Sequence, residues 1–453
     1  MNLHKQLIPL SVKESPLVIY SLLTVLLITS CTSYIDTGST STSSTPTNAS
    51  EEPSVEWTYT NAVYDDFIRS AQLYSENDQL APPYIPLNGL FLTCRFDDLR
   101  GGFNDFNYQI VHCDYDWSPS DLEEHEYVQG FNDNSITEMD ESFNMKQMYT
   151  HYSFTFPNDM MKITLSGNYL LMVYPDGEED APIFTQRFVV YENLIGYDVN
   201  VKPSTIISER RYKQEVDFEL KQVSYPIYDA YSDLDMAILQ NDRWDNAIFD
   251  LKPVFMKGST FVYDFDEENN FDGLNEFRWF DSKSIRFNAL GTDSIRLVNN
   301  QWNMYLHPSE RRTYEVYRTD IDLNGKRLLK NDDFDWFLES EYMFVHFSLP
   351  YDFKYPAADI YVVGEFTNWN FLDKAKMKWN ESAKRYECSI YLKQGLYNYM
   401  YSVVSAEDPK GDMPAIEGNN QETENTYSIF TYYNDPQGYS RVIGLYITDS
   451  YNK

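Results

Sequence analysis

From about Trp57 onward the chain places apolar and aromatic residues at alternate positions, in short segments separated by Gly, Pro, Asn and Asp. Successive side chains of an extended strand point to opposite faces, so this alternation predicts strands with one buried face. Clear examples are Gly89–Phe96, Phe106–Cys113, Tyr169–Tyr174 and Arg187–Tyr191. Between the first two lies Leu99-Arg-Gly-Gly-Phe103, whose paired glycines accept the positive φ of a hairpin turn. Helical spacing appears at Val63, Phe67, Ala71 and Tyr74, which predicts a short helix or irregular lead-in over Tyr59–Tyr74.

Turn-rich stretches near Asn193–Pro203 and Asn331–Glu341 divide the strand-rich body into residues 55–195, 196–338 and 339–453. Short strands at this spacing predict an all-β fold of three immunoglobulin-like β-sandwich modules in tandem. In the third, Ile360-Tyr-Val-Val-Gly-Glu-Phe-Thr-Asn-Trp369 is followed by Tyr386–Tyr391 and Leu392–Tyr399, an order of strand, aromatic turn, strand, turn, strand. Asp359–Thr448 resembles the early-set immunoglobulin-like fold of glycogen-recognition modules, which carry a Gly-x-Phe-x-x-Trp turn. That resemblance implies an alternative role, carbohydrate binding on an aromatic platform of Trp369 with Trp379. The opposing reading is that Trp369 packs its own turn. Such modules have a second tryptophan on a later hairpin, and the corresponding Ser405–Asp412 contains none.

The first thirty residues carry Lys5 and Lys13, then an apolar run from Leu17 to Ile28, then small residues. This is the layout of a secretory signal, too short and wrongly flanked for a spanning helix. The junction Ile28-Thr29-Ser30-Cys31 resembles a bacterial lipobox, which makes Cys31 the expected lipidation site and new amino terminus. Twelve of the nineteen residues from Thr32 to Ser50 are Ser or Thr, so residues 31–54 are expected to form a flexible tether. The absence of an acidic cluster directly after Cys31 favours the periplasmic side of the outer membrane.

The 453 residues contain 36 Lys and Arg against 70 Asp and Glu, a formal charge of −34. Such a surface repels phosphate backbones, which excludes nucleic acid as the main partner. The cysteines Cys31, Cys94, Cys113 and Cys388 form no CxxC spacing, and no metal or other cofactor is expected. His112, Asp114 and Asp116 share one strand face and offer a metal-like cluster beside Cys113; the plainer reading is a satisfied histidine and solvated acids. His151 reads as a buried hydrogen-bonding histidine and Cys388 as a small core side chain. If the turn centres near Phe103, Cys94 and Cys113 can meet, and an oxidising envelope permits a bond between them. No Gly-x-Ser-x-Gly elbow or His-Glu-x-x-His helix occurs, which argues against an enzyme.

A series of motifs runs through the mature chain in order: Phe96-Asp-Asp-Leu-Arg-Gly101, His112–Trp117, Ser142-Phe-Asn144, Thr150-His-Tyr152, Leu165–Leu170, Gln214–Phe218, Gln240–Ala247 and Asn275–Arg278. Together they resemble the plug component of the type IX secretion system of the Bacteroidetes group. The resemblance implies a non-catalytic outer-membrane lipoprotein that closes the periplasmic end of the translocon barrel, with that barrel as partner and the lipid as membrane anchor. Arg243, Trp244, Asn246, Asn275 and Arg278 are candidate partner-binding residues, since Arg and Trp recur at interface hot spots. The alternative is a buried turn network joining modules one and two, with Arg278 paired to Glu276 or Asp281.

Overall fold

The computed structural model describes residues 57–450, so the signal, Cys31 and the tether lie outside the described residues. The body is all-β. In the first sandwich, strands Phe184–Tyr191, Gly167–Pro175 and Phe106–Cys113 form one antiparallel sheet, with Ala62–Val63 and Tyr84–Pro86 along the outer edge of Phe184–Tyr191. Ile68–Ser75, Leu92–Asp98, Thr150–Phe156 and Glu138–Glu141 form the other sheet. Aromatic rings fill the space between them: Phe96 stacks on Tyr152 at 4.8 Å and Tyr169 on Phe188 at 5.2 Å. Offset ring pairs of this kind add to the area they bury.

Three local expectations change here. Gly101 and Gly102 do take positive φ, at 73° and 71°, but the strands on either side enter opposite sheets, so the turn is an arch between layers rather than a hairpin. Cys94 and Cys113 are therefore kept apart and are both free thiols. Cys94 lies in the core between the sheets, while Cys113 lies on the outer face of its own sheet. Of the short helix or irregular lead-in expected over Tyr59–Tyr74, the helix is absent; a short irregular stretch separates strands Ala62–Val63 and Ile68–Ser75, and a register shift between Arg69 and Gln72 breaks the alternation enough to imitate helical spacing.

The pairing of the remaining strands departs from the linear segmentation at 338/339. Leu234–Gln240 pairs with Thr426–Asp435, which pairs with Tyr439–Asp449, and this sheet covers the sheet of Ile195–Pro203, Lys213–Gln222 and Thr260–Tyr263. Conversely, Arg278–Asp281 and Arg327–Leu329 flank Gly395–Ser405, facing the sheet of Gln301–Leu306, Tyr342–Pro350 and Arg385–Lys393. The last hairpin of the chain thus completes the second sandwich, and residues from 278 onward begin the third. Cross-strand register is set by distant partners, which alternation along one strand does not encode.

The first two sandwiches also stack. Leu170, Met172 and Val189 on the outer face of one sheet meet Ala237, Leu239, Phe430 and Val442 of the other, forming a further apolar layer. Strands Gly167–Pro175 and Leu234–Gln240 are buried on both faces, which explains their near-continuous apolar sequences. Burying each such side chain contributes about 1.5–3 kcal/mol.

Candidate functional site

The residues singled out in the sequence converge on the seams between sandwiches. Strand Leu234–Gln240 ends in Asn241 and Asp242, both left-handed at φ 56° and 57°, a conformation these two residue types tolerate better than other side chains. The turn sends Arg243 and Trp244 to different neighbours. Arg243 is 3% exposed, pairs with Asp245 at 2.6 Å and lies 4.0 Å from the centre of the Trp369 ring, tying the second sandwich to the third. Trp244 meets Trp117 edge-on at 4.8 Å and stacks with Phe430 at 5.6 Å, within the layer between the first and second. Asn246 donates to Gln240 Oε1 at 3.2 Å and steadies the turn.

Asn275 and Arg278 meet at a different centre, the buried carboxylate of Glu417. Arg278 Nε donates to both of its oxygens at 3.0 Å, Arg312 Nε donates at 2.9 Å, and the Tyr401 amide donates to Oε1 at 2.9 Å. Asn275 donates to the Glu417 carbonyl at 2.9 Å. Burial pushes the Glu417 pKa up, but the Arg278 and Arg312 guanidiniums outweigh it and hold it below its ordinary value. The expected pairing of Arg278 with Glu276 or Asp281 is thus replaced by one with a residue 139 positions away. Glu276 instead accepts hydrogen bonds from the Tyr317 hydroxyl and the Glu424 amide, and burial, reinforced by the Asp322 and Glu424 charges, pushes it up to about 7.

A third seam joins the first and third sandwiches, and sequence reasoning missed it. Asp97, fully buried, accepts from Lys393 Nζ at 2.7 Å and the Tyr342 hydroxyl at 2.6 Å, and lies 2.6 Å from His151 Nδ1. Lys393 is also fully buried and lies over the Tyr149 ring at 4.2 Å. Burial would raise the Asp97 pKa, yet Lys393 and His151 hold it below the ordinary carboxylate value. The one available signal was that Asp97 and His151 both stand inside the quoted motifs.

The other candidates have plain structural surroundings. His112 is 1% exposed, lies 2.8 Å from Ser120 Oγ, and is pushed down to about 4 by burial. Asp114 accepts from the Ser440 amide and Asp116 from the Ser118 amide. Among the described residues, ligand-type atoms converge only at Glu215, Asp217 and Asp264, where the Lys202 ammonium already pairs with all three. Trp369 and Trp379 form no joint platform: Trp379 packs on Tyr386 at 5.0 Å, while Trp369 is held between Arg243 and the edge of Phe277. A side chain at Gly325 would meet the Trp369 ring at 2.6 Å. Cys388 is buried in the core of the third sandwich.

Residues 68–192, the bulk of the first sandwich, match the family described as the Type 9 secretion system plug protein 1st domain. Among solved structures, a hypothetical protein from Parabacteroides merdae ATCC 43184 is 31% identical; the alignment covers 87% of this chain and 100% of that one, with a TM-score of 0.83. A segment of native alpha-2-macroglobulin from Escherichia coli, spanning domains NIE-MG1, is 7% identical over 45% of this chain and 96% of that one, with a TM-score of 0.15. No curated protein matches the chain significantly.

Proposed function

Because the chain belongs to the type IX secretion system plug protein family, we propose that it is a non-catalytic plug that binds and closes the periplasmic end of the translocon barrel in the outer membrane. The family match over the first sandwich carries this reading. The architecture supports it: the three sandwiches are fused by buried ion pairs and aromatic contacts, so the body resists deformation as a unit. Outer-membrane barrels reach about 36 strands, a lumen wide enough to leak solutes if uncovered. A compact body of about 400 residues has a radius of gyration of ~21 Å by chain-length scaling, a size suited to obstructing such an opening.

Cys31 is the proposed lipid anchor. Several acyl chains bury many methylenes at about 0.8 kcal/mol each, so the acidic body need not bind the membrane itself. Confinement to the membrane that carries the barrel raises the effective concentration of plug at the pore. Deleting the gene tests the reading. Cells should become sensitive to large antibiotics that the outer membrane normally excludes, while type IX export continues; unchanged permeability would count against closure.

A further inference from the structure

A cavity of about 310 Å³ lies where the three sandwiches meet, with Gln72 and Gln186 contributed by the first, Trp244 by the second and Trp369 by the third. Its volume falls at the lower end of the ~300–1,000 Å³ range of ligand sites. The strand pattern explains why it exists. Strand Phe184–Tyr191 is bordered by Ala62–Val63 at Phe184 and Thr185 and by Tyr84–Pro86 from Val189 onward. Neither edge strand reaches Gln186 and Arg187, and both of these residues line the cavity. Exposed Thr60, Asp245 and Asn370 stand on its rim and connect it to solvent.

The polar groups of the wall are unevenly satisfied. Its carboxylates already have cations: Asp242 pairs with Lys326 at 2.8 Å, Asp245 with Arg243 at 2.6 Å and Glu365 with Arg327 at 3.5 Å. Arg187 has no ion pair among the described residues, although the chain carries a charge of −34. Its Nε donates to the Tyr59 carbonyl at 2.7 Å and its guanidinium lies 4.3 Å from the Trp117 ring centre, while its outer N–H groups have no acceptor among the described residues. Burial lowers it to about 10, so an anion beside it would be favoured. Gln72 and Gln186 are 4% and 7% exposed, and the Nε2 of each lacks an acceptor. A buried donor left unpaired is unfavourable, a deficit that a ligand carbonyl can relieve.

We propose that this cavity binds a peptide by its carboxyl terminus, with Arg187 holding the carboxylate and the Gln72 and Gln186 amides, which leave other faces of their strands at the open edge, holding peptide units farther from the terminus. A planar guanidinium fork matches a carboxylate, and a primary amide matches the donor and acceptor of a peptide bond. Apolar Ala71, Leu73 and Pro82 complete a wall suited to small side chains. The flat aromatic faces that a sugar ring would need are taken up by Arg243 on Trp369 and Phe430 on Trp244. The proposal is independent of the plug reading.

Calorimetric titration of the full-length chain in detergent tests it, with N-acetyl-triglycine, the same peptide amidated at its carboxyl end, and acetate as probes. The free-acid peptide should bind saturably at one site, and both other probes at least about tenfold more weakly. Arg187→Gln should lower affinity for the free acid at least about tenfold and remove its preference over the amide. Gln186→Leu leaves the guanidinium in place and should weaken both peptides while leaving acetate unchanged, which keeps the proposal open to refutation if the arginine variant fails to fold. Equal affinity for acid and amide, or no saturable binding at millimolar peptide, would overturn the proposal. Equal affinity for acetate and the free-acid peptide would assign the site to small acids and overturn the peptide assignment.

Discussion

Glu417 lies beneath two guanidiniums and has no exposed side-chain surface. Replacing it with alanine would leave Arg278 and Arg312 without their shared carboxylate in a buried site. Breaking such a cluster costs about 3–5 kcal/mol. Glu417→Ala is therefore expected to lower the denaturant midpoint by that equivalent, while an alanine at exposed Glu381 is expected to shift it little. Glu276 gives a pH-dependent test. Its folded pKa is raised from 4.5 to about 7, so its contribution to stability is fully present below the unfolded value and is lost as pH rises through about 7. Glu276→Gln should be more stable than the natural chain at pH 8, by roughly 1–2 kcal/mol once solvent screening is allowed for, and near parity at pH 4.5. A gap that does not change with pH would show that Glu276 is not titrating in this window. Asp97 works in the opposite direction: its lowered pKa supplies stability above the ordinary carboxylate range that is lost on acidification through its folded value.

The hairpin Thr426–Asp435 and Tyr439–Asp449 has an influence out of proportion to its place at the end of the chain. It supplies two strands of the second sandwich and part of the apolar layer against the first. A chain ending at Asn425 should lose hydrogen-exchange protection across Lys213–Gln222 and Leu234–Gln240, while Tyr342–Pro350 and Arg385–Lys393 keep theirs; the linear segmentation would place the loss in the third sandwich instead. Strand positions were legible because alternation is a local property: Phe106–Cys113 appears as read, and Tyr169–Tyr174 lies within Gly167–Pro175. Partnership was not legible, because register depends on residues far apart in the chain, as Ile238 and Ile429 are, nearly two hundred positions from each other. The candidate site followed the same division. Arg243 and Trp244 were found by residue type, whereas Glu417 and Lys393 lie outside the series of plug-family motifs and become central only through packing.

At the scale of the whole molecule, the buried seams link three sandwiches whose separate interfaces would otherwise permit hinge motion. Trp244 to Trp117, Arg243 to Trp369 and Lys393 to Asp97 each cross a different pair. A body fused in this way suits a role that depends on occupying space. Cys31→Ser should move the protein from the membrane fraction to the soluble periplasmic fraction and reduce closure without altering the fold, as read by fractionation and antibiotic sensitivity. The most direct test is affinity purification of the full-length tagged chain from detergent-solubilised envelopes, followed by mass spectrometry. A large outer-membrane translocon barrel is expected to co-purify in near-stoichiometric amount; recovery of the folded, membrane-anchored chain without any barrel would contradict the plug reading.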